Sequence, residues 1–298
     1  MRLRLILLAV LIALLATSTL AQEPITPNDN QAEEEWIRQK SEQGESHASG
    51  MRPELGPTIL GNPTQAVAVL HVGLCYSYTS TGAFSEFASF HHPYADISNT
   101  AGDVHVLDES TGKQIIAIEP GVIVHVAYDG TGYQVAVDGN PLGTFAGPIF
   151  FKPSDPTNFF RVESILRAFG GNKVPLYRGA IEIARGSVTP AGKVNVVNVI
   201  EVEDYVPGVV VNESISSFHI EALKAQAVAA RGYAVANVGR YVKLGYPFDI
   251  VDSSSSQVYR GVISEHVKAV QASFETTGLV GSYSGKIIEA LYSSSFGG

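Results

Sequence analysis

HIEALKAQAVAARGYAVANV, residues 219–238, is the stretch on which the fold turns. Leu223, Ala227, Ala230 and Ala234 recur at the helical period and fall on one face. Ala225, Val228, Ala229 and Val235 cover much of the rest. A helix that is apolar nearly all round is a buried helix, and alanine lets neighbouring backbones come close. Four long polar side chains interrupt this surface. Lys224 and Arg231 share one stripe, Gln226 and Tyr233 another. An unpaired buried charge costs roughly several kcal/mol. These groups therefore either pair inside the domain, as Lys224 or Arg231 with Glu221 or Asp204, or line a polar cleft.

Upstream, GVVVNES sets Glu213 behind Val209, Val210 and Val211. A carboxylate between an apolar run and a buried helix is open to partial desolvation. Desolvation raises its pKa and keeps it protonated near neutrality, as a general acid requires. The alternative is a helix-start glutamate that interacts with the dipole. Strands are predicted at Gly179–Ala184 and Lys193–Glu201, and a helical block from about Glu203 to Val242. DIVDSSSSQVYRG is a polar loop that runs into a short strand. SEHVKAVQASFETTG reads as an amphipathic helix with Val267, Val270 and Phe274 on its apolar face and Gly278 at its C-cap. LVGSYSGKIIEALYSS is a hairpin around Ser284-Gly285. Strands on both sides of a helical block make an α+β domain over residues 170–298.

Residues 63–165 carry short β-branched and aromatic runs punctuated by Ser-Thr-Gly, Asp-Gly and Pro, with a hairpin from Val122 to Val137 around Asp129-Gly130. They form a β-rich N-terminal module. His91 and His92, next to Pro93, are expected on a surface turn rather than at a metal. Residues 22–62, rich in Gln, Glu, Pro, Asn, Ser and Gly, are expected to be a flexible linker. Residues 1–21 have Arg2 and Arg4, an apolar run from Leu5 to Ala16, and small Thr19 and Ala21 ahead of Gln22. That is a secretory signal peptide; the alternative is an uncleaved N-terminal membrane anchor. The protein is expected to be secreted or held in the cell envelope.

Composition narrows the function classes. Of 298 residues, 45% are apolar and 16% charged, with a net charge of −9. So acidic a chain lacks the basic surface that displaces counterions from phosphates, so nucleic acid is not an expected partner. The single cysteine, Cys75, allows no internal disulfide and no thiolate cage; it is expected to be a small buried hydrophobe.

Taken together, EVEDYVPGVVVNES, HIEALKAQAVAARGYA, DIVDSSSSQVYRG and EALYSSSFGG resemble the SpoIID/LytB family over roughly residues 174–298. The resemblance implies a SpoIID-like α+β catalytic domain with a buried Ala-rich helix, preceded by the β-rich module. It implies peptidoglycan remodelling, in sporulation or in vegetative wall turnover. The activity expected is that of a lytic transglycosylase, which cleaves the MurNAc-GlcNAc bond of denuded glycan strands to leave 1,6-anhydroMurNAc ends. Glu213 matches the family glutamate and would be its catalytic acid and base. Lys224, Gln226, Arg231 and Tyr233 match the helix motif, and Gln257 and Tyr259 the QVYRG motif, as substrate-binding residues. Peptidoglycan strands, and a cell-wall amidase, are the expected partners.

The sequence also departs from the family pattern. Where some members carry zinc-binding Cys and His, this chain has Val251 and Ser253 to Ser256, so no metal and no cofactor is expected. Gly232 replaces a frequent Ser or Thr. The family usually continues beyond the SSSFGG motif, so the C-terminal part of the domain is expected to be incomplete. Two further readings stay open: a non-catalytic wall-binding module that enhances an N-acetylmuramoyl-L-alanine amidase, and an envelope protein that uses the fold as structure alone.

Overall fold

The computed structural model describes residues 69–76, 89–168 and 172–293. The expected signal peptide at 1–21, the linker at 22–62 and the final residues 294–298 lie outside the described residues. The chain first lays down β1 (Val69–Leu74), β2 (Ala95–Asn99), β3 (Val104–Asp108) and β4 (Lys113–Ile118). Strands β5 (Val124–Tyr128), β6 (Tyr133–Val137), β7 (Asn140–Phe145) and β8 (Ile149–Pro153) follow. Four short strands come next: β9 (Phe160–Val162), β10 (Arg167–Ala168), β11 (Asn172–Lys173) and β12 (Leu176–Tyr177). Then β13 (Ala180–Ala184) and β14 (Asn195–Glu201) lead into helices α1 (Val202–Glu213) and α2 (Ile220–Ala236). After β15 (Ile250–Val251) come helix α3 (Val267–Glu275) and the hairpin β16 (Ser282–Tyr283) and β17 (Lys286–Ile287).

A seven-stranded sheet has the order β15-β1-β14-β13-β8-β3-β4, and a six-stranded sheet the order β12-β9-β2-β5-β6-β7. The α+β class is as the sequence reads. The expected hairpins form too, with Tyr128 opposite Tyr133 and Tyr283 opposite Lys286. The stretches 63–165 and 170–298, read from the sequence as two modules, share one sheet. Strand β14 pairs with β1, and β13 pairs with β8. Residues from both sheets and all three helices belong to one hydrophobic cluster. Alternation could not reveal this, because it says which face of a strand is apolar and not which strand lies beside it.

Strand β14 is buried on both faces, and its two residue sets meet different partners. Val196 and Ile200 join the main core. Val197 and Val199 face an aromatic cluster of Phe90, Tyr241, Tyr246 and Phe248. Gly73, opposite Val197, makes room for that cluster: a Cβ there would lie 2.7 Å from the Phe248 ring. Cys75 is buried, as expected, and burial pushes its thiol pKa up. His92 corrects an expectation. It is fully buried rather than on a surface turn, with Nε2 2.7 Å from the Leu74 carbonyl oxygen and its ring edge-on to Tyr76. An isolated antiparallel bridge pairs His92 with Val194, just before β14.

The expected helical block is two helices, broken between Ser214 and His219. Helix α2 buries Leu223, Ala227, Ala230 and Ala234 as the period predicts. It is enclosed on all sides only from Ala230 to Ala234; Ala222 and Ala225 are exposed. Helix α3 reverses the expected face. Val267 and Phe274 are exposed, and the buried set is Ala269, Ala272 and Ser273. The smaller side chains allow closer approach to α1 and α2, and that outweighs burying the larger ones one layer further out.

Candidate functional site

Glu213 closes α1. The helix is fixed by Tyr205, Val206, Val209 and Val210, all in the core, so its last turn is held at a set depth. The Glu213 side chain is half-buried there, and its Oε1 accepts a 2.7 Å hydrogen bond from the Val258 backbone N–H. Burial pushes its carboxyl above the ordinary range, although the Val258 bond pulls the other way. Glu213 stands at the helix C-terminus, not at a helix start. The macrodipole there disfavours an anion and acts in the same direction as burial. Among the described residues, Oε2 accepts no hydrogen bond.

Gln257, one residue before the donor of that bond, is completely buried. Its Nε2 donates to the Ala230 carbonyl at 3.2 Å and to the Tyr292 hydroxyl at 2.8 Å. Its Oε1 accepts from Tyr205 at 3.3 Å. One side chain thus ties α1, α2 and the segment after β17 together behind Glu213. Tyr259 is buried beneath them. Its hydroxyl donates to Asn198 Oδ1 at 3.1 Å, and its ring lies 4.7 Å from that of Tyr205. Gly208 provides the space, since a Cβ on it would lie 2.8 Å from the Tyr259 ring.

The polar residues of α2 separate into two groups. Gln226 is half-buried, and its side chain interacts with the Tyr292 hydroxyl. Tyr233 is nearly buried on the same side; its hydroxyl accepts from Arg240 at 3.4 Å. Lys224 and Arg231 instead pair internally. Lys224 meets Glu221 at 2.8 Å and Glu275 at 2.6 Å on the outer surface of α2 and α3. Arg231 is fully buried, and it pairs with Glu203 rather than with Asp204 or Glu221. Nε donates to Oε1 at 2.9 Å and Nη2 to Oε2 at 2.8 Å. Its remaining donors reach the carbonyls of Leu279 at 3.0 Å and Ser273 at 3.2 Å.

The structure therefore brings Glu213, Gln226, Gln257 and Tyr233 around Tyr292. It sets Tyr259 under them as support and holds Lys224 and Arg231 in ion pairs of their own. Tyr292 was not among the expected site residues. Its phenol is pushed well above its usual range by burial and then by the charge of Glu213. The available signal was a single aromatic hydroxyl in EALYSSSFGG, a motif otherwise of small residues. Among the described residues, no group of three or more His, Cys, Asp or Glu is placed to hold a metal ion. A separate cavity of about 410 Å³ opens on β5–β7 between His125, Tyr128, Gln134, Pro141 and Thr144; none of the expected site residues lines it.

Residues 190–283 match the family model described as stage II sporulation protein, SpoIID. An uncharacterized protein of Brachyspira hyodysenteriae is 39% identical over 103 residues, 35% of this chain and 28% of that protein. The amidase enhancer of Bacillus subtilis is 43% identical over 93 residues, 30% of this chain and 12% of the enhancer. The chain thus spans under a third of the length of either relative. No solved structure matches it. The matched segment holds α1, α2, α3 and the Val258 hydrogen bond to Glu213, so this chain carries a SpoIID-family domain, distantly related to the Bacillus subtilis amidase enhancer.

Proposed function

We propose that the protein is exported to the cell envelope and acts on peptidoglycan glycan strands as a lytic transglycosylase, with Glu213 as acid and base. The observation that carries this reading is the state of Glu213: half-buried, one oxygen fixed by the Val258 N–H, the other open, and the carboxyl biased toward its protonated form. The protonated carboxyl gives its proton to the glycosidic oxygen as the bond from C1 of N-acetylmuramic acid breaks. The resulting carboxylate then takes the proton of that sugar's C6 hydroxyl, whose oxygen bonds to C1. The product is a 1,6-anhydro ring and a free hydroxyl on the neighbouring N-acetylglucosamine. One carboxyl serves both steps because the nucleophile belongs to the substrate, so the paired carboxylates of ordinary glycosidases are not needed.

The test is incubation with denuded glycan strands and mass spectrometry of the products. Anhydro-muramyl ends from the parent protein, and their loss in Glu213→Gln, are expected. Intact strands after prolonged incubation with the parent would refute the reaction. A second reading, a wall-bound module that stimulates an amidase, is favoured by the likeness to the amidase enhancer and by Ile215 and Phe218. These are exposed in the loop directly after Glu213. Stimulation of a purified amidase by Glu213→Gln as strong as by the parent would select that reading.

A further inference from the structure

The cavity of about 410 Å³ on β5–β7 lies outside the family-matched residues 190–283. Two cross-strand rows build it: His125, Ala136 and Pro141 in one, Ala127, Gln134 and Thr144 in the other. The small Ala127, Ala136 and Pro141 make its floor. The side-chain donors around it are mostly spent within the protein. Gln134 Nε2 donates to the Asp129 carboxylate and, at 3.2 Å, to Thr144 Oγ1. His125 Nδ1 lies 2.7 Å from Asp96 Oδ1; a carboxylate only accepts, so this nitrogen carries the ring proton. The Tyr128 hydroxyl donates to the Gly130 carbonyl at 3.3 Å. Only the Thr144 hydroxyl proton is uncommitted. What faces the cavity is a set of acceptors: Gln134 Oε1, Nε2 of the neutral His125 ring and the Asp129 carboxylate. Among the described residues no donor reaches Gln134 Oε1 or His125 Nε2.

The charge around the cavity has the matching sign. Asp129 is fully exposed, and hydrogen bonds from the Thr131 N–H and O–H hold its carboxyl down to about 2, so it stays ionised through the neutral range. Asp and Glu outnumber Lys and Arg by nine to four over residues 89–168, and the two pairs balance at eleven each over 172–293. The acidic surplus of the described chain thus sits on the part that carries the cavity. The Arg185 guanidinium lies over the Tyr128 ring but gives its protons to the carbonyls of Thr189, Pro190 and Lys193. We infer that the β5–β7 cavity binds an aliphatic ammonium, its charged head at Asp129 and Gln134 Oε1, its carbon arm on Ala127, Ala136 and Pro141, and a second N–H at His125 Nε2. An ammonium has three donors and no acceptor, the complement of this lining. An anion meets the Asp129 charge and almost no free donor. The rows of His125 and Gln134 are two residues apart, about 7 Å, a span that four or five carbons cover. A free linear diamine fits, and so does a lysine residue, through its side-chain ammonium and its backbone N–H. The site is independent of Glu213 and of the glycan reading.

The experiment is NMR titration of the nitrogen-labelled full chain with cadaverine and with N-acetyl-lysine methylamide, with pentanol and hexanoate as uncharged and anionic controls. The amide signals of Ala127, Ala136 and Gly143 are expected to shift saturably with an amine, and the tighter of the two amines identifies the source of the ammonium. Pentanol and hexanoate should bind at least about 10-fold more weakly, having no charge-assisted hydrogen bond to make. Asp129→Asn keeps an oxygen to cap its turn and removes the charge; Gln134→Leu removes Oε1. Each should weaken amine binding about 5- to 10-fold. Ala136→Leu fills the floor and should abolish the shifts, while its thermal unfolding midpoint stays within about 2 °C of the parent because the added carbons face outward. Three results would each overturn the inference: no saturable shift at these residues with either amine, pentanol or hexanoate binding as tightly as the amines, or amine binding that survives unchanged in both Gln134→Leu and Ala136→Leu.

Discussion

Replacing Arg231 with methionine keeps most of the side-chain volume but deletes the guanidinium that joins the three helices. Arg231 makes two bonds to Glu203 in α1, one to the Ser273 carbonyl of α3 and one to the Leu279 carbonyl beyond it. Glu203 also accepts from the Gly278 N–H at 3.1 Å, so the deletion leaves that carboxylate with a single backbone donor. Breaking one side of a buried ion pair costs about 3–5 kcal/mol. The Glu203 side chain is 25% exposed and regains some water, so the lower end applies, about 3 kcal/mol. For a domain of this size, 1 kcal/mol moves the midpoint by about 2–4 °C, so a fall of roughly 6–12 °C is expected. The assay is urea and thermal unfolding of the parent, Arg231→Met, Glu203→Gln and the double variant. The double variant should cost less than the sum of the two singles, because its second change no longer strands a charge. If Arg231→Met unfolds within about 0.5 kcal/mol of the parent while glycan binding is lost, the residue serves the ligand and the structural argument fails.

The raised pKa of Glu213 fixes a pH dependence. Its proton is present below the folded pKa and lost above it, so cleavage should decline as pH rises past the ordinary carboxyl range, as rates of anhydro-end formation across pH would report. Glu182 on β13 is pushed up to about 7 by burial and then by the charge of Glu109. The stability tied to its proton is complete below the unfolded value of 4.5 and is lost as pH rises through about 7. Glu182→Gln should therefore gain about 1–3 kcal/mol at pH 8 and nothing at pH 4, as paired urea titrations would test; an equal gain at both pH values would contradict the assignment. Gly208→Ala and Gly232→Ala form a contrast read by thermal unfolding. The first forces a Cβ to 2.8 Å from the Tyr259 ring and should lose about 1–3 kcal/mol despite better helix propensity. The second meets only ordinary contacts at 3.5 Å or more and should gain up to about 1 kcal/mol.

Much of the fold was legible as local pattern. The alanine face of α2, the hairpins at Asp129-Gly130 and Ser284-Gly285, and the existence of strands β13 and β14 all follow from the spacing of apolar and turn residues along short stretches. Glu213 was legible as a carboxylate after an apolar run. Its position at the end of α1 rather than the start of α2 was not, because the break at Ser214–His219 carries no proline or glycine. Helix α3 misled for a related reason: hydropathy ranks Val267 and Phe274 above Ala269 and Ala272, while close packing against two helices ranks them by size.

The sequence by itself determined that strands lie near 180–184 and 195–201, that the Ala-rich helix is a packing element, and that Lys224 and Arg231 require partners or a polar cleft. Only the tertiary structure decided between those options, pairing Arg231 with Glu203 and Lys224 with Glu221 and Glu275. It also placed Tyr292 beside Glu213 and joined the early and late strands in one sheet. Secondary structure follows from side-chain periodicity over a few residues, which a sequence displays directly. Which distant groups meet depends on how whole elements pack, and that is set by shape and volume summed over the core.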